Sequence, residues 1–117
     1  MSNCIFCSII KGDIPSNKVY EDDDILAFHD IQPAADVHVL VIPKKHIASL
    51  NELDSSDEKL IAKLTLHIPK IAKTLGLDAG YKTLINTGKG GGQQVFHLHY
   101  HIIGGKIHAL ESLKHIG

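Results

Sequence analysis

Apolar positions change their period several times along this chain of 117 residues, and each change predicts a different element. Over residues 4–10, Ile5, Phe6, Ile9 and Ile10 share one side of a helix of one or two turns, which Gly12 ends ahead of Pro15. Runs at 18–21, 25–29 and 37–42 read as strands, separated by the acidic turn Asp22, Asp23, Asp24 and by Gln32 and Pro33. From Asp54 the period lengthens: Leu60, Ile61, Leu64, Ile68, Ile71, Ala72 and Leu75 recur at helical spacing. Ser55 or Ser56 is placed to cap this helix, Asp57 and Glu58 favour its first turn, and Gly76 should end it. Pro69 removes a backbone donor inside it and predicts a bend. Two more strands, at 81–86 and 95–103, are joined by the glycine-rich residues 87–92. After Gly104 and Gly105 no strand is expected, and Ile107, Leu110 and Leu113 are left to pack on a neighbour.

The pattern adds up to an α+β fold, a five-stranded antiparallel sheet with one long helix and a short N-terminal helix. The strand-helix alternation of a doubly wound parallel sheet is absent. Residues 1–117 suit one domain, with a core at about 4–105 and a tail at 106–117. A net charge of −1 with 21% charged residues argues against a nucleic acid polymer as partner, so a nucleotide would have to be held in a pocket. No signal stretch and no apolar run near the roughly 18 residues of a membrane span is present, which predicts a cytoplasmic protein with no membrane partner. In such a reducing compartment the pair Cys4 and Cys7 serves metal or redox chemistry more often than a structural disulfide.

The chemistry concentrates near the C-terminus. His97, His99 and His101 alternate with Leu98 and Tyr100, so on an extended chain the imidazoles share one face, ~6.5 Å apart at ~3.3 Å rise per residue, while Phe96, Leu98, Tyr100 and Ile102 line the other. The glycines at 88 and 90–92 offer backbone donors without side chains to block a phosphate, although such a loop can equally be a flexible hairpin tip. Asn86, Gln93 and Gln94 add neutral donors. An imidazole with one free nitrogen attacks phosphorus when a carbonyl holds the other nitrogen protonated, which makes the central His99 the candidate nucleophile and His101 a donor to a phosphoryl oxygen. The competing reading is a row of metal ligands, or of histidines satisfied by carbonyls.

These residues resemble the signature of the histidine triad (HIT) superfamily. The likeness extends over Ile14 and Pro15, residues 27–31, residues 40–47 and the run Gln93, Gln94, Val95, Phe96, His97, in an order similar to the HINT branch, the histidine triad nucleotide-binding proteins. The resemblance implies a homodimer whose two sheets join into one of ten strands, and a site for a purine nucleotide such as AMP or GMP. It implies hydrolysis of purine nucleoside phosphoramidates or acyl nucleotides through a nucleotidyl-histidine intermediate at His99, with no catalytic metal. The alternatives are a dinucleoside polyphosphate hydrolase, or a nucleotide-binding interaction module without significant turnover. By position, His101, Asn86, Gln93 and Gly92 match phosphate contacts, Asp30 the carboxylate that takes the ribose hydroxyls, and Ile31, Phe6 and Leu40 the surroundings of the base. His38 matches a histidine near the triad, though it also reads as a packed strand residue. A bacterial subset with Cys-x-x-Cys further implies a structural zinc held by Cys4, Cys7, His46 and His97. Two departures stand out: Gln94 replaces a hydroxyl residue of the HINT relatives, and the tail lacks the tryptophan of the animal branch. His29, His67, His108 and His115 read as solvated or structural.

Overall fold

Cys4 starts the first helix by accepting from the Cys7 amide at 3.4 Å, and Gly12 ends it in the left-handed conformation (φ 87°), so α1 covers Ile5–Lys11. The computed structural model of the chain describes residues 4–108 and 117; Leu110, Leu113 and His115 lie outside the described residues. Beyond α1 come β1 (Lys18–Glu21), β2 (Ile25–His29), β3 (Ala35–Pro43), α2 (Glu58–Thr74), β4 (Lys82–Leu84) and β5 (Tyr100–Ile107). The strands form one antiparallel sheet in the order β1-β2-β3-β5-β4, as the α+β reading expects.

Alternation along the strands gives the sheet two apolar faces. Ile25, Ala27, Val39, Val41, Leu98, Tyr100 and Ile102 meet Leu64, Ile68, Ile71 and Ala72 of α2 on one side. On the other, Leu26, Phe28, Leu40 and Ile42 meet Phe6 and Ile9 of α1. Because neighbouring strand residues point to opposite faces, His99 and His101 fall on the α1 side once Leu98, Tyr100 and Ile102 are committed to α2. Phe96 departs from this scheme: it is 48% exposed rather than packed with Leu98.

Several expected boundaries move. Neither Ser55 nor Ser56 caps α2: Asp57 holds its N-cap position without a side-chain cap bond, and Asp54 caps the turn before it, its carboxylate accepting from the Ser56 amide at 2.8 Å while Asp57 reaches back to the Asp54 amide at 3.2 Å. These bonds favour a 3₁₀ turn over Ser55–Asp57, after which α2 runs unbroken through Pro69. β4 is shorter than expected. β5 starts later and runs on through the two glycines, with Ala35 opposite Ile107. Those glycines are required by geometry rather than by chain termination. A Cβ at Gly104 would collide with Leu77, and Gly105 adopts φ +73° where Lys106 bonds Asp36 at 2.9 Å. The register shift between Ala35 and Val37 absorbs this bulge. Residues 95–99 leave the ladder because they are tied elsewhere: the Leu98 amide donates to the Ile47 carbonyl at 2.7 Å and the His97 ring to the Pro43 carbonyl at 2.7 Å. No helix among the described residues is long and apolar enough to cross a membrane.

Candidate functional site

A cavity of about 260 Å³ opens on the α1 side of the sheet. Ile5, Phe6, Ile9, Phe28 and Leu40 give it an apolar wall, while Asp30, Gln94, His99 and His101 bring polar groups to its rim. Of the residues singled out in the sequence, Phe6, Asp30, Ile31, Leu40, Gln94, His99 and His101 converge here; Asn86, Gly92, Gln93 and His38 do not line it. Ile31 stands almost fully in solvent, at 93% exposure.

Proton positions follow from the hydrogen-bond network. The Ala34 amide donates to Nδ1 of His38 at 3.0 Å, so the single proton of a neutral His38 sits on Nε2. That nitrogen lies 2.9 Å from Nδ1 of His101, against 3.5 Å from the Asp30 carboxylate, so it donates to His101. His101 therefore carries its proton on Nε2, a fully buried atom without a partner among the described residues. A chain of two imidazoles thus transmits the direction of one backbone amide to a donor beside His99, whose ring centre is 4.9 Å from that of His101. Burial drives His101 towards the neutral form, with His99 and His38 adding repulsion, so its pKa falls to about 3. His38 is also held below its ordinary value, mainly by burial, with Asp30 opposing and His99 reinforcing the shift.

His99 is held by a different backbone group. Its Nδ1 lies 2.7 Å from the carbonyl of His97, and a neutral ring that donates there keeps its lone pair on Nε2. That nitrogen lies 2.6 Å from the carbonyl oxygen of Gly117, a second acceptor, to which the Gln94 amide also donates at 3.4 Å. Only a ring protonated on both nitrogens satisfies both carbonyls, so the Gly117 contact and a nucleophilic Nε2 exclude each other. Phe6 stands edge-on to His99, with ring centres 5.1 Å apart.

Gln93 has a bracing role. Its side-chain oxygen accepts from the Gly88 amide at 2.9 Å, and its nitrogen donates to the carbonyls of Ala48 at 2.8 Å and Val95 at 3.0 Å. These bonds close the glycine loop, which turns through Gly88 (φ 75°) and Gly92 (φ 86°), and commit the side-chain donors that a phosphate would need.

A second cluster lies behind the first. Cys4, Cys7, His46 and His97 bring one donor atom each to within 4.8 Å of one another. His97 gives its Nε2 proton to Pro43, so its bare Nδ1 faces Cys4 Sγ at 3.4 Å, Cys7 Sγ at 3.7 Å and His46 Nδ1 at 3.2 Å. Cys7 Sγ is 3.4 Å from His46 Nδ1. Bond lengths of ~2.3 Å to sulfur and ~2.05 Å to nitrogen put tetrahedral edges at ~3.6 Å for N···S and ~3.3 Å for N···N, so the donor set fits a metal ion. Without one, burial raises the Cys4 thiol above its ordinary pKa and pushes His97 down to about 4.

Sequence reasoning missed several features of the site, Phe28 of the apolar wall among them. Ile5 and Ile9 carry a signal, since they share the apolar stripe of α1 with Phe6. His29 lines the cavity although it read as solvated or structural. Ser16 also lines it, with a buried hydroxyl that finds no partner among the described residues. The Gly117 carbonyl leaves no mark in the sequence, because every residue carries such a group.

Comparison with known proteins bears on the same segments. The HIT domain profile matches residues 11–108. Protein HitA of Neisseria gonorrhoeae is 55% identical over 104 residues, which is 89% of this chain and 97% of that protein. A HIT family hydrolase from Legionella pneumophila superposes with a TM-score of 0.86 at 44% identity, covering 94% of this chain and 99% of the other. A histidine triad protein from Clostridium difficile gives a TM-score of 0.86 at 48% identity, over 91% of this chain and 93% of the other.

Proposed function

This chain belongs to the HIT domain family, and on that premise we propose that it is a hydrolase of purine nucleoside phosphoramidates and acyl nucleotides, acting through a nucleotidyl-histidine intermediate. The observation that carries the reading is the orientation of His99: with Nδ1 against the His97 carbonyl, Nε2 faces a cavity beside a second, proton-bearing imidazole, and a substrate that displaces Gly117 from it meets its lone pair.

In the first step Nε2 of His99 attacks the α-phosphorus and the P–N bond breaks. Its electron pair goes to the departing amine, which takes a proton from water. The positive charge left on the phosphorylated ring is stabilised by the His97 carbonyl on Nδ1–H. His101 Nε2–H meets the phosphoryl oxygen on which negative charge accumulates. In the second step water attacks phosphorus, its proton passes to solvent, and the P–Nε2 pair returns to His99 as the nucleotide leaves. The apolar wall of Ile5, Phe6, Ile9, Phe28 and Leu40 suits a flat base. Asp30 suits a ribose diol, whose two hydroxyls donate to one carboxylate in charge-assisted bonds. Gln93 serves by shaping the loop around Gly92, and Asn86 stands next to that loop in the chain. Cys4, Cys7, His46 and His97 would hold a zinc ion, which would supply structural cross-linking between α1 and the loops that carry the two histidines. Two such chains form a homodimer whose five-stranded sheets join into one of ten strands, and the protein works in the cytoplasm.

His99→Asn and His99→Gly should abolish turnover of an adenosine phosphoramidate while AMP affinity stays within a few-fold of the parent. A rapid quench should show the parent chain heavier by one nucleotidyl group, and neither variant should. Undiminished turnover in either variant rejects the assignment. Light scattering should give the mass of two chains.

A further inference from the structure

We propose that the cysteine-histidine cluster and the cavity are thermodynamically linked: a divalent cation held by Cys4, Cys7, His46 and His97 orients His99 and fixes the wall formed by α1, so metal and nucleotide bind with positive cooperativity. This rests on the reading of the cavity as a nucleotide site and adds its regulation by metal supply.

Three connections carry the linkage. His97 is the first, because it acts on both sites at once: its ring nitrogen faces both thiols, and its own backbone carbonyl receives the Nδ1 proton of His99 at 2.7 Å. A shift of the His97 ring that follows loss of a metal bond is passed to the backbone carbonyl of the same residue, the group that aims the nucleophile. The second connection is α1. This helix has seven residues and only Phe6 and Ile9 buried, too little apolar surface to fix two turns firmly by itself. Its N-cap Cys4 and first-turn Cys7 are cluster members, so a cation would tie it to His46 and His97, which are distant in the chain. The third is Phe6, which sits between the two cysteines. It meets His99 edge-on at 5.1 Å, His97 at 5.9 Å and Phe28 at 5.5 Å, and with Ile5 and Ile9 it forms the apolar wall of the cavity.

A nucleotide that packs on Phe6 and bonds His99 therefore favours the arrangement in which the four donors converge, and a cation favours the arrangement in which the wall and nucleophile are in place. Linkage requires the two effects to be equal. Coupled sites commonly differ by ~5–150-fold in affinity, and at least about fivefold is expected here from the sharing of His97.

The test uses the full chain and AMP, a ligand that leaves the His99 chemistry idle. AMP is titrated calorimetrically into zinc-loaded protein and into protein stripped by a chelator and dialysed. Zinc affinity is measured separately by competition with a chromophoric chelator, with and without saturating AMP. Stripping should weaken AMP binding at least about fivefold, and AMP should tighten zinc binding by the same factor. AMP affinity that ignores the metal, with zinc affinity that ignores AMP, overturns the inference and leaves the nucleotide site standing. Absence of AMP binding in both states overturns the site reading itself. Should circular dichroism show that stripped protein unfolds, the comparison moves to cobalt(II)-loaded protein. Its ligand-field bands must then shift on AMP saturation, and unshifted bands overturn the linkage. A chain that takes up neither zinc nor cobalt also overturns it.

Discussion

The relay from Ala34 through His38 to His101 can be cut at either end by a side-chain amide that imitates one ring nitrogen. His38→Asn places an oxygen near the position of Nδ1 and keeps an acceptor for the Ala34 amide, but has nothing to give His101. His38→Gln places an N–H near Nε2 and keeps the donor to His101, while the Ala34 amide loses its acceptor. His38→Leu removes both. Ala34, His38 and His101 are all buried, at 4%, 3% and 1% exposure, so water cannot replace either bond without repacking. An orphaned buried donor or acceptor costs about 1–3 kcal/mol, so Asn and Gln should each destabilise by that much and Leu by about 2–6 kcal/mol. Activity should separate the variants differently. Loss of one donor aimed at a developing oxyanion costs at most about 10²–10³ in kcat. The Asn and Leu variants, in which nothing holds the His101 proton on Nε2, should fall by at least about tenfold within that ceiling. Gln should stay within a few-fold of the parent. Urea unfolding gives the first ranking and turnover of an adenosine phosphoramidate under conditions where every variant is folded gives the second. An Asn variant with parental kcat, or a Gln variant as slow as Leu, would refute the relay.

Three further outcomes follow from the geometry. His101 is neutral in the folded protein with a pKa near 3 but takes a proton near 6.5 when exposed, so the unfolded chain binds more protons between those values. Stability from this group is therefore complete above pH 6.5 and declines on acidification by up to about 1.4 kcal/mol per pH unit; a urea midpoint unchanged between pH 7 and pH 5 would contradict it. Leu64→Ala empties a fully buried position between α2 and the sheet and should cost about 2–5 kcal/mol in denaturant titrations without altering AMP affinity; a loss below about 1 kcal/mol would show that the position is not close-packed. Deleting residues 109–117 removes the Gly117 carbonyl from Nε2 of His99, so acylation of His99 by diethyl pyrocarbonate, followed by peptide mass, should run several-fold faster. An equal rate would mean that the contact does not shield Nε2 of His99.

Much of the architecture is written locally. Strand alternation depends only on the period of two, so Val39, Val41, Leu98 and Ile102 could be assigned to one face and Leu40 and His101 to the other before any contact was known. The stripe of α2 and the stop at Gly76 depend on the period of 3.6 and on a positive φ, which are equally local. Where local signals compete the sequence was ambiguous: Asp54, rather than Ser55 or Ser56, caps the turn before α2 because its carboxylate and that of Asp57 bond reciprocally. Gly104 and Gly105 looked like an ending and instead serve a bulge that only the approach of Leu77 and Asp36 makes necessary. The grouping of Cys4 and Cys7 with His46 and His97 came from likeness to a family, since spacing alone cannot bring together residues up to 93 positions apart.

Residue types and periods determined which side chains share the α1 face, but of the three alternating histidines only His99 and His101 line the cavity, while His97 joins the cysteines. Tertiary structure decided what each imidazole can do there. His38 takes its tautomer from the amide of Ala34, His97 from the carbonyl of Pro43 and His99 from the carbonyl of His97. Such backbone groups are the same in every residue and leave no trace in a sequence; their direction is fixed only when the loops around the sheet are packed in place.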